Sequence, residues 1–287
     1  MTKKLAHDPR NRYVQGIGEG PLDLATAKLE WGRFRLRELD SDVKRAVREA
    51  DRNPFSMYSD TVTNTTRIAW DPGGTEGAFS LRVGEIVHAL RSALDVLVWG
   101  FSKDPLNIKG PKPSFPIFGC EADYVNYGHR SVRGLSTSGQ EIVVEQQPFR
   151  WPQGLPETDP LFELSELNNL DKHRSPHAIL IGATYQDGPL DKLVEDLGPR
   201  LIRTPAKGDH GELLLLGETI VELFFVADDP MDVDFPEYLV TKVIDVAFDD
   251  RMPVMATLNE IGIRVEGIIR TFANALDSGR ITMPDPI

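Results

Sequence analysis

The chain has 287 residues, 26% of them charged and 40% hydrophobic, with a formal charge of −12 at pH 7. That length can bury a sizeable core, and the composition is that of a globular protein, not a disordered one. The acidic balance argues against a general nucleic-acid binder, because phosphate contacts need a basic surface. A single cysteine, Cys120, allows no internal disulfide, which suits a reducing compartment. No run approaches the roughly 20 apolar residues of a membrane span. The first lysines are followed by no apolar stretch, so no secretory signal is read. The expectation is a cytoplasmic protein without membrane association.

Residues 1–19 are polar and Gly-containing and read as a flexible N-terminal arm, with 20–287 as a single domain. A long helix is predicted over 21–52, opened by Pro21, whose missing N–H is an orphan in a first turn anyway. Ala25, Leu29, Gly32, Leu36, Leu39, Val43, Ala46 and Ala50 recur at steps of four and three. That heptad-like seam either packs on the protein's own core or forms a homodimer. Phe55 to Trp70 reads as a β-hairpin around Asn64. A second helix is predicted over 81–103, with Val83, Ile86, Val87, Leu90, Leu94, Leu97 and Phe101 on one face.

From 104 to 160 the chain is irregular and Pro-rich. Phe115, Ile117, Phe118, Tyr124, Tyr127, Phe149 and Trp151 suit a strap wrapped over a core better than a free tether. Within it a short helix is predicted over 139–147, with Ser138 and Glu141 spaced as a capping box. Another follows over 160–174, with Asp159 as N-cap and Pro160 in first position. Apolar and β-branched runs at 177–185, 212–216, 219–226 and 238–248 read as strands. A last helix begins at Pro253. Helices first and strands late predict an α+β fold, with the long helices packed against a late antiparallel sheet.

Some polar residues stand where apolar ones are expected. His88, Arg91, Ser92 and Asp95 share one face of the second helix. On the helix from Pro160, the stripe of Leu161, Leu164 and Leu167 runs on through Asn168, Asp171 and Arg174. Asp95 and Asp171 are therefore expected to be buried, each paired with Arg91 or Arg174, because a buried carboxylate needs a cation. One reading is a structural ion-pair network. The other is a polar site for a small anionic substrate, with His173 at its rim. Asp171, Lys172 and His173 with His177 lack further partners at metal-binding spacing, and no dinucleotide or P-loop fingerprint holds its context. No metal or cofactor is expected. Cys120 reads as a small core filler.

The runs His88-Ala-Leu-Arg-Ser-Ala-Leu-Asp-Val-Leu-Val-Trp99, Phe115-Pro-Ile-Phe118, Gln147-Pro-Phe149 and Leu167-Asn-Asn-Leu-Asp-Lys-His-Arg174 resemble a family of bacterial proteins, frequent in actinobacteria, to which no activity is assigned. The resemblance spans most of the chain and implies a cytoplasmic location without implying a reaction. An Arg-bearing helix beside a His-bearing one is also similar to HEPN-type helical ribonucleases. Their Arg-x(4–6)-His motif is read as absent, with no arginine counted five to seven residues before His88, His173 or His177.

Two functions follow. In the first, the protein is a binding or structural protein whose Arg/Asp residues lock helices together. In the alternative it is a hydrolase or ribonuclease-like enzyme. There His173 is the acid or base, Asp171 orients it, and Arg91 or Arg174 holds an anionic group beside His88, Asp95 and Asn168.

Overall fold

The computed structural model describes residues 20–50, 55–60, 65–70, 76–173, 178–184, 201–203, 213–215, 219–225, 240–248 and 253–284, with side chains for 20–46, 48, 78–171 and 253–284. The chain divides into two compact units. One comprises 1–38, 81–176 and 255–287, and the other 39–80 and 177–254.

In the first unit, α1 (Pro21–Ala50) and α2 (Glu76–Phe101) run antiparallel where they meet. Pro21 lies against Gly100, Gly32 against Leu90 and Ala89, and Arg35 pairs with Glu85. Gly100 is required by this approach, since a Cβ there would stand 2.2 Å from that of Pro21. The C-terminal helix α6 (Val254–Asp277) joins them. Phe272 meets Phe101 with ring centroids 5.5 Å apart, and Arg33 of α1 donates to Glu266 at 2.5 Å. The apolar stripes are buried: Val83, Ile86, Leu90, Leu94 and Leu97 on α2, and Leu258, Ile261, Val265, Ile268 and Phe272 on α6.

The strap after α2 carries α3 (Glu121–Asn126), α4 (Thr137–Glu145) and three 3-10 turns, and leads into α5 (Pro160–His173). The cap of α4 is Ser136, which accepts from the Gly139 N–H at 3.2 Å. The helix therefore starts two residues before the expected boundary, and Ser138 with Glu141 is not its capping box. In a Ser-Thr-Ser run any hydroxyl can cap, and the first one reached the turn. Cys120 is exposed and not a core filler.

Helix, 3-10 turns included, makes up 73% of the residues with described side chains, and no strand lies among them. The expected α+β fold, with the long helices covered by a late sheet, is corrected accordingly. The stripes of α1, α2 and α6 meet one another, and an apolar stripe needs only some apolar surface, which a second helix supplies as well as a sheet. Strands are described as backbone alone, in the second unit. β1 (Phe55–Asp60), β2 (Thr65–Trp70), β4 (Leu201–Arg203) and β6 (Thr219–Phe225) form one sheet in the order β1-β2-β6-β4. β3 (Ala178–Thr184), β5 (Leu213–Leu215) and β7 (Val240–Phe248) form another in the order β5-β3-β7. All pairs are antiparallel.

The seam of α1 is buried within this one chain, at Ala25, Leu29, Gly32, Leu39, Val43 and Ala46. Leu36 of the seam is half-buried, and the side chain of Ala50 lies outside the described residues. Among the described residues, no helix is long and apolar enough to cross a membrane.

Candidate functional site

The polar face of α2 forms one half of what its spacing suggests. Arg91 and Asp95, one turn apart, pair at 3.0 Å. Both then turn to a single residue of the strap. Asp95 accepts the Phe115 N–H at 2.9 Å, and the Arg91 guanidinium donates to the Phe115 carbonyl. The two side chains thus satisfy both main-chain groups of a residue whose own ring is fully buried. An irregular segment has no ladder to pair its backbone, and buried backbone groups without partners are costly. The clamp supplies those partners.

Asp95 is not buried as expected, since its side chain keeps 37% exposure against 17% for Arg91. Asp171 departs further. It is exposed, and among the described residues it forms no ion pair. Its carboxylate rests on α2 at Gly84, where a Cβ would come within 2.3 Å of Asp171 Oδ1. The glycine opens room for a carboxylate at the surface, which keeps its hydration instead of entering the core. Asn168, one turn earlier, is buried as its stripe requires, while Leu170 is half exposed. Asp171 at the last turn of α5 is therefore outside the core, and among the described residues neither Asp171 nor Asn168 pairs with Arg91 or Asp95. The side chain of His173, and all of Arg174, lie outside the described residues. His88 is exposed, with Ser92 Oγ 3.4 Å from its Nε2.

The reading that no arginine stands at motif distance before His88 is corrected. Arg82 stands six residues before His88 on α2 itself, which is an Arg-x5-His interval. Six residues of helix leave the two side chains about 120° apart, so they do not share a face.

The buried ion pair of this unit lies elsewhere. Asp159, fully buried, takes the Leu161 N–H at 2.9 Å and two nitrogens of Arg264, at 3.0 and 3.2 Å. Arg264, on α6, also donates to the side-chain oxygen of Gln146 at 2.8 Å and to its main-chain carbonyl at 2.9 Å. The guanidinium lies 5.0 Å from the centroid of the Trp151 ring. Next to it Gln147, fully buried, donates to Pro116 O at 2.8 Å and Val143 O at 3.1 Å, and accepts the Phe118 N–H at 3.1 Å. Asp159 was legible as a helix cap. Arg264 was not singled out, because on an amphipathic helix it reads as one more solvated cation. Its one sequence signal is the flanking by Ile261 and Val265 on the inward stripe.

The chemistry available here is main-chain anchoring. Arg91, Asp95, Gln147, Asp159 and Arg264 each hold strap backbone or a strap side chain. Among the described residues, no three His, Cys, Asp or Glu side chains are grouped as metal ligands. The chain matches no family model, no curated protein and no solved structure.

Proposed function

We propose that this is a binding protein whose helices carry the 103–160 strap as a rigid recognition surface. The observation that carries the reading is the occupation of Arg91 and Asp95 by the two backbone groups of Phe115. A guanidinium held on a carbonyl is not free to grip an anionic substrate, so the enzyme reading loses its described cation. Loops fixed on a rigid scaffold are where recognition commonly resides, and this strap displays Leu106, Val125, Tyr127 and Leu155 to solvent. The buried seam of α1 supports placing the contact surface on the strap and not on the long helix.

The test combines limited proteolysis with turnover of bis(p-nitrophenyl) phosphate, on wild type and Arg91→Gln. The binding reading expects no turnover by wild type and faster cleavage of the variant within 104–120. Wild-type hydrolysis that disappears in Arg91→Gln, with the strap equally protected, would establish the enzyme instead.

A further inference from the structure

A second polar region lies away from these fastenings. The end of α2, the start of the strap, the turn before α4 and residues 282–284 enclose an open cleft of about 1040 Å³. Phe101, Leu135 and Met283 give it an apolar wall, and Lys103, Lys109 and Arg133 line it with positive charge.

The cations are set there by backbone. α2 stops at Phe101, and Asp104 adopts φ 49°, a left-handed conformation that non-glycine residues rarely take and that clusters at ligand sites. Asn107 Nδ2 donates to both Asp104 carboxylate oxygens at 2.9 Å, holding that turn. The Lys103 N–H donates to Gly134 O at 2.8 Å, tying the strap's start to the turn that bears Arg133. Gly134 permits the approach, since a Cβ there would meet Ser102 Cβ at 2.8 Å.

Among the described residues, none of the three cations has a carboxylate partner. Arg133 makes one hydrogen bond, from Nε to Arg130 O at 3.1 Å, its Nη2 lies against Gly110, and among the described residues its terminal nitrogens have no acceptor. The charge around them is segregated. Residues 103–116 hold three lysines and one aspartate, and 127–136 hold two arginines and no acid, within a chain of charge −12. Asp104 also lines the cleft, its carboxylate taken by Asn107, so three cations stand against one carboxylate, and that excess raises the local potential and attracts an anion.

We propose that this cleft binds a small organic phosphate, with its apolar body against Phe101 and Leu135 and its phosphate shared by Arg133, Lys103 and Lys109. A phosphate, with three terminal oxygens and the larger charge, offers the arginine fork and two ammonium groups more acceptor sites than a carboxylate does. The cleft is open and its volume stands just above the roughly 300–1,000 Å³ of small-ligand sites, so a small ligand fills only part of it. This deepens the binding reading, yet the two fail separately, because the strap test reads Phe115 anchoring and this one reads the cleft.

The experiment is calorimetric titration of the full chain at low salt with phenyl phosphate, inorganic phosphate and phenol. Phenyl phosphate is expected to bind most tightly, inorganic phosphate more weakly, and phenol not measurably. The Lys103→Gln/Arg133→Gln double variant should bind phenyl phosphate at least about tenfold more weakly at an unchanged melting temperature. If that variant does not fold, Lys109→Glu replaces it with the same expectation. Arg150→Gln, whose partner is Glu121 outside the cleft, should bind as wild type does. No heat with phenyl phosphate, undiminished affinity in the charge-removed protein, or inorganic phosphate or phenol binding as tightly, would overturn the proposal.

Discussion

Two polar regions of the helical unit differ in how their charges are used. Around Asp159 and Arg264, and around Arg91 and Asp95, each charged group meets at least two protein partners. Around the cleft, Lys103, Lys109 and Arg133 have no acidic partner among the described residues. The first pattern holds the strap in place, and the second leaves donors for something else. A charged residue in an unusual place therefore says little until its partners are counted. A complete set of partners signals structure, and an incomplete one at an open surface leaves donors that water or a ligand can take.

The largest effect should come from breaking the buried pair. Asp159→Ala strands Arg264 and removes the cap of α5, and should cost about 3–5 kcal/mol in urea unfolding. An unfolding midpoint equal to wild type would remove the distinction between the two regions. Gly134→Ala pushes a methyl into Ser102 and Ile108 and should cost about 1–3 kcal/mol, read by the same titration. That loss would show the cleft wall to be as tightly built as the fastenings. Asp95→Ala leaves the Phe115 N–H without its acceptor. Because Asp95 is more than a third exposed and solvent screens its pairing, the loss should be only about 1 kcal/mol.

The smallest effects are in pH. Arg33, by hydrogen bonding, holds the Glu266 carboxyl below its ordinary value. A depressed carboxyl stabilises the fold above its unfolded value of about 4.5, and that contribution is lost as pH falls through the folded value. Arg33→Gln should therefore flatten the acid limb of the melting-temperature curve. Burial raises the Tyr124 phenol from 10.0 to about 12. Its contribution is complete below pH 10 and is lost as pH rises from about 10 towards 12. Tyr124→Phe should remove that alkaline loss.

Much of the helical framework was legible in the sequence. The stripes of α1, α2 and α6 were periodic enough to place each helix to within a few residues, and Pro160 with Asp159 marked the start of α5. The aromatic content of the strap was a mixed signal, since Phe115 and Tyr124 are buried while Tyr127 is exposed. What covers each stripe was not legible, because a periodic apolar face specifies that it is buried and not by what, and the α+β expectation failed there. The site was legible only as pairs within one helix. Arg91 with Asp95 follows from i,i+4 spacing, but their joint hold on Phe115 does not. The Asp159–Arg264 pair spans 105 residues, and no local pattern announces it. Asp171 misled because the stripe of α5 was extended one turn too far, past the point where the helix leaves the core. Arg82 and His88 show the converse, a spacing present in the chain that the helix spreads over two faces.

The claim that α2's polar residues fasten the strap is tested most directly by native-state hydrogen exchange at the Phe115 amide, in wild type and Asp95→Ala. The account predicts a protected Phe115 amide in wild type. In the variant that protection should fall sharply, while amides in α6, such as those of Ile268 and Phe272, keep theirs. Equal Phe115 protection in the two proteins would contradict it.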